Sequence, residues 1–476
     1  MKAMTDQTLP SVIQGGMGAG VSNWRLARAV ALAGQLGVVS GTALDVILAR
    51  RLQVGDPCGS MRRALAHFPI KGAAQRILDR YFIAGGKSPE AAFKSKPMPS
   101  ANPSRDAEEL LVAGNFVEVF LAREGHSHPI GINFLEKIQT PTLPSIFGAM
   151  LAGVSCVLMG AGIPRAIPGV LDKLSRGEAV ELTLDVVGAK AGETFLTRFD
   201  PKPYWPADLH ALRRPEFYAI VSSATLANML AKKASGRVDG FIVEGPTAGG
   251  HNAPPRGPMQ LTSGGEPIYG PRDVADLEAI RALGLPFWLA GSYATPEKLL
   301  EAKAAGAAGI QVGTAFAYCA ESGLDDEIKH RILEMSRAGT ARAFTDPVAS
   351  PTGFPFKVVQ LPGSLSDPEV ASHRQRICDL GYLRHAYRKE DGTIGWRCPS
   401  EPIDLYTGKG GTESDTTGRQ CVCNGLMANI GLAQTRGEDA ELPLVTSGDD
   451  VATVARFLKP CATSYSAADV VKYLVG

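Results

Sequence analysis

What the sequence lacks narrows it first. There is no apolar run of about 20 residues, the length a bilayer-spanning helix needs. The opening MKAMTDQTLPSVIQGG has no apolar leader segment. Lys and Arg form no long run, and the formal net charge is +1 over 476 residues, with a pI near 7.6. Neither a nucleic acid nor a membrane surface is therefore expected as the main partner. Cysteine is too sparse for a disulfide framework: eight residues lie scattered at 58, 156, 319, 378, 398, 421, 423 and 461. The close pair Cys421 and Cys423 has one intervening residue, where zinc knuckles have two to four. It reads either as a metal or redox site joined by Cys398, or as small buried hydrophobes beside NGLMANIGL. Internal repeats and low-complexity tracts are also missing. What remains is an ordinary globular composition, 45% hydrophobic and 20% charged. A cytoplasmic enzyme is expected, with self-association left open.

The residues that are present fall into a regular alternation. Short apolar runs at Ser11–Gln14, Leu36–Ser40, Ile130–Asn133, Ser155–Met159, Tyr218–Ser222, Gly240–Glu244, Pro286–Ala290 and Gly309–Val312 read as strands buried on both faces. Helical segments separate them. TALDVILARRLQ puts Leu44, Ile47, Leu48 and Leu52 on one face. ATLANMLAKKA has Ser222 or Ser223 as its N-cap, and TPEKLLEAKAAGA has Thr295 as N-cap with Pro296 at the first helical position. About eight such units predict an α/β (β/α)₈ TIM barrel, a fold of about 250 residues. The excess length is expected in a helical insertion after strand 2, about residues 54–128, and in a C-terminal extension, residues 345–476, packed on a barrel of residues 1–344. Residues 163–216 contain VELTLDVVG, which alternates like an exposed strand.

In such barrels the chemistry sits at the C-terminal ends of the strands. Those ends carry Gln14-Gly15-Gly16-Met17-Gly18, Asn133, the loop EGPTAGGHNAPPRG with His251, Gly291-Ser292 and Gly313-Thr314. The last two turns follow strands 7 and 8, where barrels of this kind bind phosphate. QGGMGAG is not GxGxxG, so a nicotinamide-type Rossmann site is a poor reading. A glycine loop lying against a flat ring is a better one. No Schiff-base lysine is evident at a strand end, which weighs against an aldolase-like barrel.

VIQGGMGAGVSNWRLARAVALAGQLGVVSG, TAGGHNAPPRG and PFWLAGSYATPEKLLEAKAAGAAGIQVGTAF together resemble the nitronate monooxygenases, within a wider set of FMN-binding barrels that includes enoyl-acyl carrier protein reductases. The resemblance runs over roughly residues 10–345. It implies FMN with its phosphate at Gly291, Ser292, Gly313 and Thr314. The ring would rest near Gly15, Gly16 and Met17, with Asn133 at its edge and Gln311 facing it. His251 would be the catalytic base or substrate anchor, on a loop that Gly249 and Gly250 open to a ligand and Pro254 and Pro255 stiffen. Arg256 could pair with a carboxylate or nitronate or equally be a surface arginine, and Glu244 could orient the loop or do no more than face water. No metal is implied. The implied reaction is oxidation of a small-molecule alkyl nitronate with O₂ to a carbonyl compound and nitrite. The alternative is NAD(P)H-dependent reduction of an enoyl thioester or quinone, within a biosynthetic complex in one version. The long insertion, the extended loop and the C-terminal block depart from the shorter enzymes of the family and put the substrate in question.

Overall fold

The computed structural model describes residues 9–206, 210–437 and 439–476. Eight parallel strands form one sheet: β1 (Val12–Gln14), β2 (Gly37–Ser40), β3 (Ile130–Leu135), β4 (Cys156–Gly160), β5 (Glu216–Val221), β6 (Gly240–Glu244), β7 (Phe287–Ala290) and β8 (Gly309–Val312). Each pairs with its neighbour in sequence, and β8 pairs back onto β1. A bridge between Ile13 and Leu36, with Gln14 N–H donating to the Leu36 carbonyl at 2.9 Å, closes the last seam. The result is the expected TIM barrel.

Apolar runs without polar alternation make this closure stable, because both faces of every strand are buried. Ile13, Val38, Leu158, Tyr218, Ile242 and Trp288 point inward and form their own core. Their neighbours in sequence, such as Val12, Val39, Val157, Phe217, Phe241 and Leu289, join the larger core under the helices. Trp288 packs against Tyr218 at 5.2 Å between ring centroids, and its indole N–H reaches the Pro10 carbonyl at 2.8 Å. A fully buried indole thus keeps a hydrogen bond.

The helices are α1 (Trp24–Leu32), α2 (Leu44–Gln53), α3 (Ser60–His67), α4 (Lys71–Tyr81), α5 (Arg105–Arg123), α6 (Thr142–Leu151), α7 (Ile167–Ser175), α8 (Ala224–Lys233), α9 (Leu277–Arg281), α10 (Pro296–Ala304), α11 (Thr314–Ala317) and α12 (Asp326–Arg337). The anticipated caps form: Ser223, not Ser222, accepts from Leu226 N–H, and Thr295 accepts from Lys298 N–H. α5 packs against α1, α6, β2 and β3, the position of the second barrel helix. The added helices before it are therefore α2, α3 and α4.

Two local readings change. α2 is buried on nearly every side, not on one face. Its polar face is covered as well: Asp45 pairs with Lys96 at 2.7 Å and with the Tyr382 hydroxyl, and Arg50 donates to the Leu432 carbonyl at 2.6 Å. The segment VELTLDVVG is half-buried rather than exposed, since Val180–Thr183 pairs with Leu196–Phe199 and turns Val180 and Leu182 inward.

Beyond residue 342 the chain forms a hairpin of Ala343–Asp346 with Phe356–Val359, then a second of His385–Arg388 with Ile394–Arg397. The short helix α13 (Pro368–His373) lies between the two hairpins, and α14 (Ile403–Gly408), α15 (Val422–Ala428) and α16 (Ala467–Val475) follow them. Ser466 caps α16 reciprocally with Asp469. Among the described residues no helix is long and apolar enough to cross a membrane.

Candidate active site

The loops at the C-terminal ends of the strands enclose one principal cavity. Gly15, Gly16, Met17, Asn133, Gly249, Gly250, His251, Gly291, Ser292, Gln311, Gly313 and Thr314 all line it. Arg256 does not; it is exposed, with its backbone N–H on Asp273 at 2.8 Å. The closed barrel gathers strand ends that are far apart in sequence, whereas Arg256 lies past the point where the β6 loop turns outward.

The floor is built by the first loop. Gln14, fully buried, is a positioning residue rather than a lining one: its amide donates to Ser22 Oγ at 2.8 Å and accepts from Val38 N–H at 3.0 Å. Ser22 in turn accepts from Met17 N–H at 2.9 Å and donates to the Gly15 carbonyl at 2.9 Å. These bonds fix the backbone of Gly15–Met17, with the Gln311 and Asn133 side chains packed against its two glycines. Gly16 is obligatory, because a Cβ there would lie 2.3 Å from the Cβ of Asn133. On the adjacent wall Gln311 Oε1 is buried with no partner among the described residues. Buried polar atoms are ordinarily satisfied, so this carbonyl is a ready acceptor for a ligand's N–H.

At the far corner the turns after β7 and β8 adjoin. Gly291 has φ +98° and Ser292 φ +56°, and a Cβ on Gly291 would lie 2.9 Å from Thr247 Oγ1. The N–H groups of Ser292 and Gly313 have no acceptor among the described residues. Together these turns can receive an anion through backbone donors alone.

His251 is held by the C-terminal chain rather than by the prolines that follow it. Its Nε2 lies 2.7 Å from Ser350 Oγ, and its ring packs on Phe356 at 4.7 Å. Lys357 N–H donates to the Gly250 carbonyl at 2.9 Å, Asn252 N–H donates to the Pro355 carbonyl at 2.9 Å, and Gly250 N–H donates to Thr446 Oγ1 at 3.1 Å. Burial lowers the imidazole pKa to about 4, so the ring is neutral at pH 7. A neutral ring remains compatible with either expected role, base or hydrogen-bonding substrate anchor. Gly249 lines the cavity and has a second close neighbour. A Cβ there would meet Gly448 N at 2.7 Å, so the glycine admits the extension's own backbone.

Residues 446–450, TSGDD, were not legible as site residues. Thr446, Ser447, Gly448 and Asp450 line the cavity, with Leu426 from α15. Gly448 N–H donates to Thr314 Oγ1 at 3.0 Å, and Asp449 accepts a 2.7 Å ion pair from the buried Lys357. The only advance signal was a small polar cluster, LVTSGDD, inside an otherwise unassigned block.

Glu244, at the end of β6, lines both this cavity and a smaller pocket with Asn252, Tyr269 and Arg256. Burial raises its pKa to about 7, so the acid form is accessible at neutral pH. Among the described residues neither Lys nor Arg lines the principal cavity.

Residues 175–349 match the family model described as nitronate monooxygenase. A curated relative from Mycobacterium tuberculosis, a (3aS,4S,5R,7aS)-5-hydroxy-7a-methyl-1-oxo-octahydro-1H-indene-4-carboxyl-CoA dehydrogenase, is 30% identical over 121 residues, 25% of this chain and 31% of that protein. The match thus spans under a third of that relative's length. Solved structures with similarity include FabK from Thermotoga maritima, at 15% identity and TM-score 0.48 over 98% of this chain and 91% of that one. A nitroalkane oxidase from Streptomyces ansochromogenes is similar at 16% identity and TM-score 0.48, over 99% and 96% respectively. Across residues 175–349, from the end of α7 to the first C-terminal hairpin, this chain is nitronate monooxygenase-like.

Proposed function

We propose that the chain is an FMN-dependent oxidoreductase that reduces a carbon–carbon double bond conjugated to a thioester carbonyl. The observation that carries the choice of substrate is the absence of Lys and Arg from the described cavity lining, beside an acid whose pKa is near 7. A nitronate is an anion, and beyond the backbone donors of the β7 and β8 turns, which the cofactor phosphate would occupy, the described lining offers it no Lys or Arg. This site presents a neutral His251 and the carboxyls Glu244 and Asp450. An uncharged enoyl group meets no such penalty. The curated relative named as a carboxyl-CoA dehydrogenase agrees with a thioester substrate. Nitronate oxidation, implied by the family match, is the competing reading.

The residues fit the cofactor. Backbone donors at Gly291, Ser292, Gly313 and Thr314 would take its phosphate, and the loop Gly15–Met17 would take its ring. Asn133 and Gln311, the latter with an orphaned carbonyl, would meet the polar ring edge. When bound, FMN would supply two-electron redox chemistry linking NAD(P)H oxidation to alkene reduction. The chain's contribution is orientation and the proton. Glu244 in its acid form donates that proton toward the α-carbon side, and is recharged through the smaller pocket it also lines. His251, neutral and fixed by Ser350 and Phe356, orients the thioester carbonyl. The C-terminal segment 446–450 narrows the mouth and keeps water from the reacting atoms.

The test is anaerobic absorbance of the purified yellow protein, with its flavin identified by chromatography. NADPH or NADH should bleach it, and a crotonyl thioester should restore the colour. Rapid bleaching by propionate 3-nitronate with no response to nicotinamide would overturn the proposal and return the chain to the monooxygenase reading.

A further inference from the structure

Four of the eight cysteines converge away from the cavity. Cys378, Cys398, Cys421 and Cys423, from three separate stretches of the extension, line one small pocket with Leu380 and Leu383. All four are free thiols. Their sulfurs receive backbone N–H groups: Gly381 to Cys378, Ser400 to Cys398, Asn424 to Cys421, and Tyr382 and Leu383 to Cys423. Among the described residues no three ligating side chains are placed to hold a metal ion. Within this cluster the Cys378 and Cys398 thiols interact with each other, whereas Cys421 Sγ is engaged by the Ile377 carbonyl at 3.7 Å and Asn424 Nδ2 at 3.5 Å.

We propose that Cys378 and Cys398 are a reversible dithiol–disulfide site, with a low-molecular-weight disulfide such as oxidised glutathione as the oxidant. Cys378 is half-buried while Cys398 is buried, so Cys378 is the accessible member. The hydrogen bond from Cys398, the Arg384 guanidinium and the Gly381 N–H lower the Cys378 pKa, and the same contact with burial raises that of Cys398. The Cys378 thiolate attacks one sulfur of the oxidant, forming a mixed disulfide and expelling one thiolate. Cys398 then gives its proton to solvent and attacks Cys378 Sγ, expelling the second thiolate. Two protein thiols are oxidised and one small disulfide is reduced to two thiols. The bond would close the segment carrying the hairpin His385–Arg388 with Ile394–Arg397.

The full-length protein with its bound cofactor should be equilibrated in graded glutathione redox buffers, quenched, denatured, alkylated and mapped by peptide mass spectrometry. Two alkylation sites should be lost together as a cross-linked Cys378–Cys398 peptide appears, and dithiothreitol should restore both. Cys398→Ser should trap glutathione on Cys378, whereas Cys378→Ser should leave Cys398 reduced. The exposed Cys58 and Cys461 provide controls for general oxidation. The proposal is overturned by a pair that stays reduced while Cys58 is modified, by a cross-link to Cys421 or Cys423, or by stoichiometric metal that blocks alkylation until chelated.

Discussion

Replacing Glu244 with Gln tests the acid at the centre of the proposed chemistry through stability and turnover together. Burial without a cationic partner moves its pKa from an ordinary 4.5 to about 7. That shift corresponds to about 3 kcal/mol between the two protonation states. The sign follows from linkage. An acid whose folded pKa is raised adds nothing below the unfolded pKa near 4.5, where both states are protonated. As pH climbs from there through 7, the unfolded state ionises first and the native state loses stability, with the full cost present above about pH 7. Glu244→Gln removes the titration and keeps the shape. Its unfolding midpoint in urea should exceed that of the parent at pH 8 by an amount equivalent to about 3 kcal/mol, and the gap should vanish near pH 4. In turnover, bleaching by nicotinamide should persist while reoxidation by a crotonyl thioester slows by about two orders of magnitude or more, the usual scale of a general acid. A stability gap that does not change between pH 4 and pH 8 would refute the titration. Unchanged thioester turnover would refute the proton-donor role while leaving the titration intact.

Three further expectations follow from the geometry. His251→Asn should keep the flavin while lowering turnover by about two orders of magnitude. Because burial depresses the parent imidazole to about 4, the parent should lose stability relative to this variant as pH falls from about 6.5 to about 4, measured by thermal melts. Gly16→Ala would force a Cβ to within 2.3 Å of Asn133 Cβ and should expel cofactor, read as a fall in flavin-to-protein absorbance ratio; full occupancy would remove Gly16 from the ring floor. Lys357→Met breaks the ion pair to Asp449 and the bond to Thr345 Oγ1, both 2.7 Å. Asp449 is 44% exposed and can be solvated, so the loss should be about 1–3 kcal/mol in urea unfolding, below that of a fully buried pair, with raised KM for the thioester.

The His251 loop shows where sequence reading stops. A histidine after a buried strand, flanked by glycines, was visible as a candidate for the mouth of the barrel, and it does line the cavity there with Gly291 and Gly313. Its protonation state was not visible. That depends on Ser350 and Phe356, some hundred positions away, whose burial of the ring sets its pKa. Glu244 is similar, since a strand-end carboxylate facing water and one sealed in a cavity are written with the same letter. For Arg256 the sequence left substrate pairing and a surface position open, and the fold places it outside the principal cavity, exposed on the rim of the smaller pocket that Glu244 shares. Gly249 was legible as a close approach, but what approaches it is the backbone at Gly448.

By itself the sequence determined the barrel. Eight short apolar runs without alternation, bounded by glycine and polar residues, suit strands covered on both faces, and intervening amphipathic or capped segments can supply that cover locally. It also determined which strand ends carry glycine, amide and imidazole groups, since those are properties of short stretches. The tertiary structure alone decided the lining contributed by Leu426 and residues 446–450, the electrical state of His251 and Glu244, and the gathering of four cysteines. These rest on contacts between segments separated by tens to hundreds of residues. Desolvation and thiol proximity are set by what the fold packs around a group, and no local pattern of residues encodes that.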